Sequence, residues 1–207
     1  MSNAPATQPD ADVVEDIHVV ALGGSTSPMA ASERALRMAA APALAAGARV
    51  TFLTGRDLMI PIYDTETHDR PAESRRVVDA LRTADGLILA SPGYHGSVSG
   101  MVKNVLDYAE DLRHEPRPYL TDRAVGIISV AHGWQTAVAT LNELRVIVHA
   151  LRGWPTPLGV AINDAAGLIG SDEESTDPAV TRQLRIMGEQ VVEFAKAIRA
   201  RDIAAQS

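Results

Sequence analysis

Apolar residues along the chain fall into short runs separated by longer stretches of helical periodicity. Residues 17–22 (IHVVAL), 50–54 (VTFLT), 86–90 (GLILA), 124–130 (AVGIISV) and 158–162 (LGVAI) each read as a strand. They lack the polar alternation of a half-solvated sheet, so neither face of the expected sheet meets water. Residues 32–46, 71–84, 101–112, 136–151 and 178–201 instead read as helices, with apolar positions three and four apart. Ser32 stands where an N-cap is expected and Gly47 where the first helix should stop. Pro42 predicts a lost bond to the Met38 carbonyl and a kink. Strand alternating with helix is the pattern of an α/β protein, a parallel sheet covered on both faces.

Composition narrows the class. The chain has 207 residues, the size of one domain, with residues 16–203 as that domain and the polar, proline-containing residues 1–15 as a disordered tail. It contains 33 alanines and eight aromatic residues, which favours helices packed closely on a sheet. There is no cysteine, which excludes disulfides, thiolate metal sites and a cysteine nucleophile. Twenty-six acidic against 19 basic residues, with no basic block, argue against a general nucleic-acid binder. No apolar run approaches the ~18 residues of a membrane span, and the start of the chain is not a secretory signal, so the cytoplasm is the expected compartment.

Right-handed crossovers bring all strand C-termini to one edge of such a sheet, where ligands bind. Three loops therefore matter. The first, Gly24 to Ser32, offers the hydroxyls of Ser25, Thr26, Ser27 and Ser32 ahead of a helix N-terminus, which suits a phosphate. It is neither a GxGxxG nor a Walker loop. The second, Ser91 to Gly100, has glycines that let a flat ligand approach, and a Tyr94-His95 pair to lean on it. The third, Ser129 to Thr136, carries His132, Gly133 and Trp134. A lone histidine or tryptophan in a loop is commonly structural, but this loop reaches the same edge. His18, inside a strand, and His149, on a helix, read as structural, and no metal site is expected.

The run S-P-G-Y-H-G-S-V-S-G-M-V-K-N-V-L-D (residues 91–107) resembles the S/T-P-x-Y-x-x-S-x-x-G-x-L-K-N-x-L-D signature of the NADPH-dependent FMN reductase family. The likeness extends to Gly24-Ser25…Ser32 and to Ile60–Asp64, and covers residues 17–200. Many members carry G-S-x-R in the first loop, and Ser27 stands at that arginine position here. The resemblance implies a flavodoxin-like, five-stranded parallel sheet of order 2-1-3-4-5. It implies FMN at the C-terminal edge, hydride from NADPH (or NADH) to flavin N5, and a second acceptor: free flavin, a quinone or an azo compound. Ser25, Thr26, Ser27 and Ser32 would hold the phosphate. Pro92, Gly93, Tyr94, His95, Gly96 and Ser97 would line the ring, and Ser129, His132, Gly133 and Trp134 would close its pyrimidine side. The chemistry would be centred on the flavin, with no catalytic side chain. A homodimer or homotetramer is implied, in some members serving a partner monooxygenase. The alternative is a flavodoxin-like electron carrier that takes no hydride from a nicotinamide.

Overall fold

The computed structural model describes residues 17–170 and 174–206; the expected tail, residues 1–15, lies outside them. Its strands are β1 (His18–Gly23), β2 (Arg49–Leu53), β3 (Gly86–Tyr94), β4 (Ser97–Val98), β5 (Ala124–Ala131), β6 (Trp154–Pro155) and β7 (Val160–Asn163). Its helices are α1 (Ala31–Ala45), α2 (Ala72–Thr83), α3 (Gly100–Asp107), α4 (Trp134–Ala150) and α5 (Pro178–Gln206). Among the described residues no helix is long and apolar enough to cross a membrane.

The sheet runs β2-β1-β3-β5-β6, with β4 paired to β3 and β7 paired to β5, seven strands in all. This corrects the expected five strands in order 2-1-3-4-5, and the reason is local. The segment after β3 folds back as β4, antiparallel to Gly93 and Tyr94, and takes the fourth place in chain order. The far edge is two short pieces, because β6 and β7 pair in parallel with opposite ends of β5. Pro157, which has no N–H for a ladder, lies between them. All pairs but β3–β4 are parallel.

Strand side chains alternate between two cores. Val20, Leu22, Leu87, Leu89, Val125 and Ile127 pack with Val77 and Leu81 of α2, Val102 and Leu106 of α3, and Leu144 and Val148 of α4. Val19, Ala21, Ile88, Ala90, Ile128 and Val130 pack with Leu36, Ala39 and Ala43 of α1 and Leu184, Met187 and Val191 of α5. Apolar residues on both faces explain why the strand runs show no polar alternation, and the alanines of α1 let α5 lie close.

Two expectations about helices change. Ser32 is not the N-cap: the Ala30 amide donates to the Ser27 carbonyl at 3.1 Å, and α1 starts at Ala31, with Ser32 inside its first turn. Helix α1 continues through Pro42 to Ala45, and the turn that stops it closes at Gly47 (φ 83°), whose amide donates to Leu44 O. The expected helix over 101–112 tightens after Asp107 into a 3-10 turn, Tyr108–Leu112. That turn buries Tyr108, which donates its hydroxyl to Pro61 O, while Asn104 donates to the same carbonyl and accepts the Tyr63 amide. These bonds pin the 59–64 segment beside the sheet edge.

Candidate functional site

The first loop leaves β1 at Gly23 and is organised from within. Ser25 N–H donates to Glu33 Oε1 at 3.0 Å, and Ser27 N–H donates to Ser25 Oγ at 3.2 Å. Ser32 is 2% exposed, yet its Oγ has no hydrogen-bond partner. The Glu33 and Arg34 amides donate to Ala30 O at 3.0 and 3.1 Å, so the Ala31 and Ser32 amides are the donors this end presents, at the positive pole of the helix. Arg34 folds along the loop: its guanidinium donates to Met29 O and, at 2.7 Å, to Ile169 O.

The second wall is the β3–β4 hairpin. His95 (φ 53°) and Gly96 (φ 87°) form its two-residue turn, and positive φ at both central positions is the geometry of a type I′ turn. Glu143 of α4 clamps it, accepting from Ser97 Oγ at 3.0 Å and from Val98 N at 3.2 Å; Thr140 Oγ1 donates to Ser97 O. Ser91 Oγ accepts the Ser99 amide, and Ser99 caps α3 through Val102 N–H. The third wall is the end of β5. The Ala131 carbonyl accepts the Asp164 amide at 2.9 Å, and Asp164 Oδ1 accepts Ile169 N–H at 3.1 Å.

These walls enclose a cavity of about 420 Å³ lined by Ser25, Ala30, Ala31, Ser32, Arg34, Pro92, Gly93, Tyr94, Val130, Ala131, His132 and Asp164. Small-molecule sites run about 300–1,000 Å³. A larger concavity, about 680 Å³, lies on the flank between α1 and α5, walled by Met38, Ala41, Pro42 and Ala45. None of its lining residues belongs to a strand or to the three loops at the strand ends, so the smaller one is the functional candidate.

Of the sequence-predicted residues, Ser25, Ser32, Pro92, Gly93, Tyr94 and His132 line the cavity. Thr26 and Ser27 are exposed on the loop outside that lining, and His95 and Gly96 sit at the exposed hairpin tip. Ser97 is bonded to Glu143, and Ser129 is fully buried with its Oγ unpaired. Gly133 and the exposed Trp134 open α4 just beyond the lining. The lining also includes Asp164, which the sequence reading does not single out, and Arg34, which that reading places one turn into the helix and too far to replace the arginine absent at Ser27. Asp164 follows the last strand of the sheet, so the rule that ligands gather at strand C-termini marks it when applied to that strand too. Arg34 comes within reach because its guanidinium folds back along the loop, onto Met29 O and Ile169 O. Among the described residues no group of three His, Asp or Glu side chains is placed to hold a metal.

The family model for NADPH-dependent FMN reductase matches residues 17–167. The chain is similar to the NADPH azoreductase of Bacillus sp. (strain OY1-2), 26% identical over 132 residues, which are 61% of this chain and 70% of that enzyme. It is 34% identical over 113 residues to the FMN-dependent NADPH-azoreductase of Staphylococcus aureus (strain USA300), covering 54% of this chain and 56% of that one. Among solved structures it resembles FerB, a flavoenzyme NAD(P)H:(acceptor) oxidoreductase from Paracoccus denitrificans. That match has a TM-score of 0.72 at 18% identity, over 87% of this chain and 98% of the other. The fold is flavodoxin-like, and the family match over residues 17–167 assigns the chain: it belongs to the NADPH-dependent FMN reductase family.

Proposed function

We propose that the protein holds FMN across this cavity and is an NAD(P)H-dependent oxidoreductase that reduces a small-molecule acceptor: free flavin, a quinone or an azo compound. One observation carries the reading. A single cavity joins an anion-binding end, Ser25, Ser32 and Arg34, to a wall fit for a flat ring, Pro92, Gly93 and Tyr94. The buried, unpartnered Ser32 Oγ supports the fit, because a phosphate oxygen would supply the acceptor its hydroxyl lacks.

In this reading the Ser25 and Ser32 hydroxyls and the Ala31 and Ser32 amides bind the phosphate, and Arg34 supplies the cation that Ser27 does not. Pro92, Gly93 and Tyr94 orient the ring on a hairpin stiffened by Glu143, and His132 closes the cavity at the end of β5. The exposed His95 and Trp134 form the rim at which nicotinamide and acceptor approach in turn. The redox chemistry, hydride acceptance from NAD(P)H and delivery to the acceptor, is the flavin's own. The protein's part is placement and exclusion of water, and no side chain is asked to serve as acid or base. Trp134, Val138 and Val146, exposed along one side of α4, support a homodimer or homotetramer, which mass in solution decides.

Anaerobic titration is the test. Protein loaded with FMN should bleach on addition of NADPH and regain its colour with a quinone or an azo dye. A preparation that keeps its colour with both NADPH and NADH favours the electron-carrier reading.

A further inference from the structure

Glu33 lies in the first turn of α1 and is 1% exposed. Its Oε1 accepts the Ser25 amide at 3.0 Å, while its Oε2 is buried without a partner. The carboxyl sits so close to Gly23 that a Cβ there would fall 2.0 Å from Oε2; only glycine leaves it room. Burial pushes the Glu33 pKa up, against the opposing pull of the Ser25 amide and the Arg37 charge. A buried carboxyl with an unsatisfied oxygen is costly, so its retention calls for a reason.

Helix capping does not provide one. A glutamate at the third helical position ordinarily turns back to the N-cap amide. Here that amide, on Ala30, already donates to Ser27 O. Glu33 reaches past it, eight residues back, and ties Ser25, near the start of the loop, to the helix that closes it. The Ser25 amide is thereby committed to the interior. Ser25 Oγ accepts from Ser27 N–H, which orients it while leaving its own proton for a ligand. We propose that Glu33 is a positioning residue of the phosphate subsite, pinning Ser25 so that its hydroxyl and not its amide serves a phosphate monoester. The proposal rests on the reading that this loop takes the FMN phosphate.

Dissociation constants for FMN and for riboflavin, which lacks the phosphate, test it on the parent, Glu33→Ala and Glu33→Gln. The parent should prefer FMN. Glu33→Ala should weaken FMN by about tenfold or more while riboflavin stays within about twofold, since one charge-assisted hydrogen bond is lost. Glu33→Gln, whose side-chain carbonyl can accept the same N–H, should return FMN affinity to within about threefold of the parent. If Glu33→Ala does not fold, Glu33→Asp withdraws the carboxyl by one methylene and carries the same expectation. Equal losses for both flavins, or a Gln variant as weak as the Ala variant, would overturn the positioning role. A parent that binds the two flavins alike would remove the phosphate reading itself, before any variant is compared.

Discussion

Three consecutive residues, Ser32, Glu33 and Arg34, each hold a buried polar atom with no partner, and all three belong to the first turn of α1. Ser32 gives the sharpest contrast between stability and binding. Without ligand its Oγ is a desolvated group with nothing to bond, a condition that costs about 1–3 kcal/mol. Ser32→Ala should therefore raise the stability of the flavin-free protein, by about 1 kcal/mol in calorimetry. The same change should weaken FMN by about 1–2 kcal/mol, because a donor to a charged group is lost, and leave riboflavin unaltered. A variant that is destabilised with unchanged FMN affinity would show Ser32 to be a packing residue only. At this scale the sequence was half legible. The hydroxyls and their place before a helix could be read directly, but a one-dimensional reading made Ser32 a cap. The N-cap residue is Ala30, which has no side-chain cap bond, and the turn that places it, Ala30 N–H to Ser27 O, leaves no mark in residue type.

Elements with many apolar positions were legible and very short ones were not. The runs at β1, β3 and β5 and the five helices follow from periodicity, because burial on both sheet faces and on one stripe of each helix demands it. The β3–β4 hairpin escaped because β4 is only two residues long, Ser97–Val98, and the surrounding stretch, rich in glycine and serine, reads as loop. Its turn has a recognisable chemistry all the same. A type I′ turn favours Asn-Gly, and His95-Gly96 fills those positions with a residue that pays for φ 53°. His95→Asn should thus preserve the turn and stabilise the protein slightly, by about 0.5 kcal/mol. Turnover with a quinone should fall less than tenfold, as the exposed ring is lost from the rim but no proton transfer is. General acid catalysis would instead be worth about 10²–10⁴-fold. A thousandfold loss with FMN still bound would make His95 an acid acting on the acceptor.

The molecule as a whole divides its polar groups between the two edges of the sheet. The edge where the strands end carries the cavity and the unpartnered atoms Ser32 Oγ, Glu33 Oε2, Arg34 Nε and Ser129 Oγ. The edge where they begin is more densely bonded, although the buried Arg117 Nε beside Asp85 also lacks a hydrogen-bond partner. Asp85 accepts the His18 amide at 2.9 Å and Arg199 at 3.3 Å, and the buried Arg123 donates to the carbonyls of Ala84, Tyr119, Thr121 and Arg82. The His18 ring spans β1, β2 and the end of α2, with Nε2 at 2.8 Å from Thr51 Oγ1 and Nδ1 at 3.3 Å from Thr83 O. Burial, then the nearby Arg49 charge, pulls its pKa below the ordinary 6.5. The unfolded chain therefore takes up a proton that the folded ring refuses. This contribution to stability is complete above pH 6.5 and is lost as pH falls through that value toward the lower folded pKa. Urea unfolding between about pH 8 and 5.5 should show the parent losing stability faster than His18→Gln, which has no proton to gain in that range. Because the ring sits at the opposite edge, FMN affinity of the folded protein should follow one pH curve in both. Equal unfolding slopes would detach His18 from acid lability, and diverging FMN curves would show that the two edges communicate through the sheet.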